Sequence, residues 1–316
     1  MFSFIICFFM QALLYYALLP LVYLLIYSPW WLFYRISDAV FIFVYHIVGY
    51  RKKVVMANLQ KSFPEKSPKE IKKIAQNFYS YFVDMLLESV RAIGMSKESM
   101  LRRCQVKTPE VVNALHAKGL NVIIVTGHYG NTEWAGAAMS LSVAPPLFLT
   151  YAPFKNRYFE NLIKNAREKF SSTMVPLAEV LKVMVKHKQN SFQYGIIFSA
   201  DQMPHPEKVY WTTFLNQETA VYWGVEKTAV KFNYPVVFGY IRRPKRGYYD
   251  IYMELLCLEP QKTEEGEISE AHTKALEKQI VQYPEIWYWT HKRWKNHPWQ
   301  QNYKKEFLAK KAGNNS

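Results

Sequence analysis

Residues 121–139, NVIIVTGHYGNTEWAGAAM, decide the fold class of this chain more than any other stretch. The run NVIIVT, Asn121 to Thr126, is apolar after its first residue and reads as a buried strand. TEWAGAAMSLS, from Thr132, reads as a helix, with Asn131 or Thr132 placed to cap it. A wholly apolar strand that turns through a short corner into a helix belongs to a parallel sheet covered on both sides.

The alternation continues outward. PEVVNALHAKG reads as a helix stopped at Gly119; after the opening stretch come the strand PLFLTY, the helix KNRYFENLIKNAREKF, the short strand TMVPL, the helix AEVLKVMVKHK and the buried strand YGIIFSA. A helix around Ala220 to Phe232 and the strands YPVVFGYI and YYDIYMELLCL follow. Upstream, SPKEIKKIAQNFYSYFVDMLLESV carries a capping signature, Ser67 with Glu70 and Pro68 between them, and an apolar stripe through Ile71, Ile74, Ala75, Phe78, Phe82, Met85 and Leu86. The expected fold class is α/β: a mixed, largely parallel central sheet flanked by helices, with an N-terminal membrane-anchoring helix. No internal repeat or linker divides the body, and the expected parts are an anchor over 1–50, one body over 51–305 and a frayed basic tail over 306–316.

The anchor rests on composition. From Phe2 to Tyr27 there is no charge, the first charged residue is Arg35, and a helix needs roughly 20 apolar residues to cross the hydrocarbon core. The segment lacks the basic start and small-residue cleavage site of a signal peptide, so it is expected to be retained, either spanning the bilayer or lying in its interface around Pro20, Trp30 and Trp31. Arg35 and the run Arg51 to Lys53 follow it, which places the body on the cytoplasmic side. Cys7, Cys104 and Cys257 are too few and too far apart for a disulfide framework or a metal site. A net charge of +15 calls for an acidic partner such as anionic lipid head groups, an acidic carrier protein or nucleic acid, and the anchor favours lipid.

In an open α/β sheet, ligands bind beyond the carboxyl ends of the strands, and GHYGNTE, Gly127 to Glu133, lies at such an end. Across a strand-to-helix corner His128 and Glu133 can converge. A histidine held by a carboxylate is a general-base unit, and a corner containing Gly127, Gly130 and Asn131 at a helix N-terminus suits an anion or a developing oxyanion. The alternative is a capped helix with an ordinary loop histidine. No G-x-S-x-G elbow, H-E-x-x-H pair, Walker loop or G-x-G-x-x-G run occurs, which removes the sequence support for a serine hydrolase, a zinc hydrolase or a nucleotide enzyme. A basic, membrane-tethered binding module without catalysis accounts for the charge and anchor but leaves His128 and Glu133 without a use.

GHYGNTE also resembles the H-x4-D/E motif of the lipid A biosynthesis (late) acyltransferases, a family related to the glycerolipid acyltransferases. YAPFKNRYFENLIKNAREKF, SADQMP, TTFLNQETAVYWGVEKTA and PEIWYWTHKRWK follow in that family's order. The resemblance implies His128 as the base that deprotonates an acceptor hydroxyl, Glu133 as its orienting carboxylate, and Asn131 and Gly130 as groups that position the reactants. It implies supporting roles for Arg167, Asp201 and Gln202, and binding of lipid phosphates or carboxylates by Arg293 and Lys295. The donor implied is an acyl thioester on acyl carrier protein, with no cofactor and no metal. The acceptor implied is a lipid A precursor at the bacterial inner membrane, or alternatively a lysophospholipid or aminolipid. Two departures stand out: Thr132 takes the place where the family commonly has tryptophan, and MPHPEKVY after Gln202 replaces a glycine-rich turn.

Overall fold

The computed structural model describes residues 2–153, 156–204, 209–295 and 304, the side chains of residues 2–11, 13, 14 and 157 excepted. The basic tail over 306–316 and residues 205–208 of the segment after Gln202 lie outside the described residues. The chain begins with α1 (Phe2–Tyr27), α2 (Trp30–Ile42) continued by a π-helical turn (Phe43–Val48), α3 (Lys52–Ser62), α4 (Pro68–Arg91) and α5 (Lys97–Arg103). There follow β1 (Cys104–Val106), α6 (Glu110–Ala117), β2 (Val122–Thr126), α7 (Thr132–Ser142), β3 (Leu147–Tyr151), α8 (Arg157–Glu168), β4 (Ser172–Pro176), α9 (Val180–Gln189) and β5 (Gly195–Ser199). The last part holds β6 (Val209–Phe214), β7 (Gln217–Tyr222), α10 (Gly224–Phe232), β8 (Val236–Lys245), β9 (Tyr248–Cys257) and α11 (Glu267–Gln282).

Among the described residues a seven-stranded sheet runs in the order β1-β9-β8-β2-β5-β3-β4. Every pairing is parallel except β8 with β9, so the expected α/β class holds. β2 and β5 lie side by side near the centre, and their inward and outward faces are both covered: Val122, Ile123, Ile124 and Val125 are buried, as are Ile196, Ile197 and Phe198. That two-sided burial is why these strands read as continuous apolar runs.

The sequence reading fails between 209 and 223. Residues 217–222, expected to lead into a helix from Ala220, form the second strand of an antiparallel hairpin with β6, and the helix begins only at Gly224. Its turn is made by Leu215 and Asn216, both left-handed (φ 50° and 60°), the conformation that matches strand twist in a two-residue hairpin.

α4 has the expected capping box: the Ser67 backbone N–H donates to Glu70 Oε2 at 2.8 Å and the Glu70 N–H donates to Ser67 Oγ at 3.3 Å. Ile71, Ala75, Phe78 and Phe82 are buried on the expected stripe, while Leu86 stays 44% exposed. α4 is also where the N-terminal elements dock. Trp30–Val48 is long and apolar enough to cross a membrane by length and composition, yet its inner face is bonded to the body. Ser37 Oγ donates to Asp84 Oδ1 at 2.6 Å, Arg246 reaches Asp38 at 2.7 Å, and the Tyr34 hydroxyl donates to Glu88 Oε1 at 2.9 Å. Trp31, Ile42, Phe43, Ile47 and Val48 face outward from the same helix.

Candidate active site

The parallel register places the site. Thr126 at the end of β2 pairs with Ser199 at the end of β5. Two residues further along each chain stand His128 and Asp201, so equal steps from one register pair bring them together. His128 Nδ1 lies 2.6 Å from Asp201 Oδ1. The second oxygen of Asp201 accepts the indole N–H of Trp287 at 2.8 Å. Asp201 is therefore buried with both oxygens engaged, while the imidazole remains one-third exposed.

This corrects the expected pairing. The carboxylate on His128 is Asp201, and Glu133 faces another partner: Arg167 Nε and Nη2 donate to its two oxygens, each at 2.7 Å. The reason is local. Glu133 sits in the first turn of α7 and α8 carries Arg167 across from it, so the guanidinium, with a planar fork that matches a carboxylate, takes both oxygens. His128, Glu133, Arg167 and Gln202 nevertheless line one cavity of about 740 Å³, whose apolar lining includes Met139, Leu149, Ile197, Ile241 and Ile251.

The glycine corner does what a sharp approach requires. Gly130 has φ +73°, and a Cβ there would meet Ile241 at 2.6 Å. Tyr129 bridges to Trp287, Gly130 N–H donates to the Ile286 carbonyl at 2.9 Å, and the Tyr129 hydroxyl donates to the carbonyls of Gln279 and Tyr283. The segment 283–289 thus clasps the corner from behind, and Trp287 is a functional neighbour that the sequence reading did not single out.

Asn131 is not a reactant-facing group. It is fully buried; its Oδ1 caps α7 by accepting Trp134 N–H at 3.1 Å, and its amide donates to Glu88 Oε2 at 3.0 Å. Glu88, also missed in the sequence, is fully buried in α4 and gathers donors from three further elements: Tyr249 at 2.6 Å, Tyr34 at 2.9 Å and Asn131. Burial raises its carboxyl pKa despite those donors. Trp134, which follows Glu133, fills the core and donates to the Glu88 carbonyl at 2.8 Å.

Arg293 also departs from expectation. It points inward rather than toward a surface lipid: it is 2% exposed, donates to the Ala220 carbonyl, and lines with Asp201 and His272 a cavity of about 10 Å³. Burial pulls its pKa down to about 10 against the support of Asp201, so it stays charged at neutral pH, whereas burial lowers His272 to about 4 and keeps it neutral. Lys295 is exposed at the surface.

Electrostatics at the pair follow from these contacts. Burial alone would pull His128 down, but the charge and hydrogen bond of Asp201 outweigh it and hold the imidazole above its ordinary 6.5. Burial would raise Asp201, but His128 and the Trp287 indole hold it below its ordinary 3.8. With Nδ1–H given to Asp201, Nε2 carries the lone pair, and among the described residues it takes no protein partner. Such a group can accept a proton from a hydroxyl in the cavity.

The chain matches the bacterial lipid A biosynthesis acyltransferase family profile over residues 8–296. It is 22% identical over 252 residues to the lipid A biosynthesis palmitoleoyltransferase of Escherichia coli (strain K12), covering 78% of this chain and 80% of that protein. The same figures hold for the lipid A biosynthesis acyltransferase of Shigella flexneri. A profile match over nearly the whole chain makes this protein an acyltransferase, and it belongs to the bacterial lipid A biosynthesis acyltransferase family.

Proposed function

We propose that this acyltransferase moves a fatty acyl chain from a thioester on acyl carrier protein to a hydroxyl of a lipid A precursor, at the cytoplasmic face of a bacterial inner membrane. The observation that carries the reading is the His128–Asp201 pair, whose imidazole lines a cavity of about 740 Å³ that the Glu133–Arg167 pair also lines.

In this reading Nε2 of His128 takes the acceptor's hydroxyl proton as its oxygen attacks the thioester carbonyl. A tetrahedral oxyanion forms, then collapses with cleavage of the carbon–sulfur bond. The imidazolium, supported by Asp201, returns the proton to the leaving thiolate, so an ester and a free thiol result. The proton is returned and no electron is moved, hence no cofactor beyond the thioester enters. Gln202 stands at the cavity wall as a substrate-facing polar group. The net charge of +15 suits an acidic carrier, which charge steers toward its encounter. The apolar helix α1 attaches the chain to the membrane, with Arg35, Arg51, Lys52 and Lys53 on the cytoplasmic side.

Mass spectrometry of lipids from a strain lacking the gene tests the acceptor. Loss of one acyl chain from lipid A is expected. An unchanged lipid A with an altered lysophospholipid or aminolipid pool would reassign it.

A further inference from the structure

α1, α4, α7 and α8 line a second chamber, of about 270 Å³, which the Glu133–Arg167 pair borders. Its walls are almost wholly hydrocarbon, with Val22 from α1, Ala137 from α7, and Phe159, Ile163 and Ala166 from α8. The two charged side chains that border it, Glu133 and Arg167, are the same two that line the cavity of His128. The ion pair is thus a partition with proton chemistry on one side and hydrocarbon on the other. α1, which supplies Val22, turns the rest of this stretch outward as open apolar surface: Leu21 is 57% exposed, Leu24 54% and Tyr27 78%.

A chamber of this kind fits an amphiphile that lies across the partition, its hydrocarbon buried and its polar end at the imidazole. Burial of apolar chain supplies the attraction, and the helix beside the opening carries the surface a bilayer would wet. We propose that the chamber holds one hydrocarbon chain of the membrane-lipid acceptor, entering beside α1. This rests on the acyl-transfer reading above. The donor's chain is assigned to the main cavity, where Met139, Leu149 and Ile251 supply apolar lining alongside His128.

Full-length protein in mixed micelles, with a lipid A precursor as acceptor and acyl carrier protein thioesters of several lengths as donors, separates the two chains. Ala166→Trp, at a half-buried position on α8, and Val22→Trp are expected to raise the acceptor KM about tenfold or more, the loss when about two chain methylenes lose their buried place. Donor KM and preferred donor length stay as they are. Val281→Trp, at an exposed position on α11 that lines neither cavity, leaves the acceptor KM within about twofold. A shift in preferred donor length overturns the assignment, as does an unchanged acceptor KM in the Ala166 and Val22 variants or an equal rise in Val281→Trp. Failure of the unmodified chain to transfer to any acceptor is a separate result, and it strikes the acyl-transfer reading itself.

Discussion

Asp201→Asn is the most informative single change, because one oxygen must then do the work of two. In the native pair Oδ1 takes His128 Nδ1–H at 2.6 Å and Oδ2 takes the Trp287 indole at 2.8 Å. Asparagine offers one acceptor and one NH₂. If its oxygen keeps Trp287, the amide donates toward Nδ1, which pushes the imidazole proton to Nε2 and removes the lone pair from the cavity. If the oxygen keeps His128, the NH₂ opposes the indole N–H and the ring loses its fixed position. Either way kcat is expected to fall by about 10²–10⁴, the range for losing an oriented base together with its counter-charge. The pH profile supplies a second readout. His128 is held above 6.5 by Asp201, so native kcat/KM rises with pH through a midpoint above that value, where the imidazolium gives up its proton. Without the carboxylate the burial that lowers His128 is unopposed, and the midpoint moves down, below 6.5. Steady-state transfer measured from pH 5 to 9, with thermal unfolding to confirm the fold, decides the matter. Full kcat with an unmoved midpoint in Asp201→Asn, or the same downward shift in Glu133→Gln, would refute the assignment of Asp201 as the orienting carboxylate.

Glu133→Gln leaves Arg167 half-buried without its two-oxygen partner, and a loss of about 2–3 kcal/mol is expected in thermal or denaturant unfolding, together with reduced transfer; an unchanged melting temperature contradicts this. Gly130→Ala combines a left-handed φ of +73° with a Cβ 2.6 Å from Ile241, so a cost of at least about 1–2 kcal/mol and a fall in kcat from a displaced His128 are expected, read by calorimetry and turnover. Arg293→Met removes a buried positive charge that faces Asp201, and the His128–Asp201 pair then binds its proton more firmly. The acid limb of kcat/KM should move up, opposite in direction to Asp201→Asn, with Arg293→Lys near the native profile. His272 and His291, whose pKa values are both lowered, Tyr288, whose ring centroid lies 6.3 Å from that of His128 and whose hydroxyl is pushed up by burial, and the Glu133–Arg167 pair are ionisable groups near it that stay unchanged in these variants.

The central strands were legible because burial on both faces writes itself as an uninterrupted apolar run, and α4 because its cap and stripe agree. The β6–β7 hairpin was not, since its turn uses Leu215 and Asn216 where the usual signal is Asn-Gly or Asp-Gly. β1 spans three residues, too few for periodicity to act on. In the site, His128 and the cavity position of Glu133 followed from the corner, but their pairing did not, because spacing along the chain is silent about which neighbour across the sheet competes for a side chain. The missing signal was available in principle: His128 and Asp201 stand equally far beyond two apolar runs, and a parallel in-register pairing of those runs brings them together. Arg293 shows the opposite hazard. Within HKRWK it looked like part of a surface charge cluster, while tertiary packing turned it beneath Asp201.

Glu88 carries one last consequence. A single carboxylate hidden in α4 fastens Tyr34 near the start of the chain, Asn131 at the reactive corner and Tyr249 on the sheet's far side. Shortening the protein to its body, a common route to a water-soluble enzyme, would strip that carboxylate of one donor and loosen the same knot that anchors the corner. A clipped version should therefore lose turnover along with its greasy leader, even in detergent where no bilayer is needed.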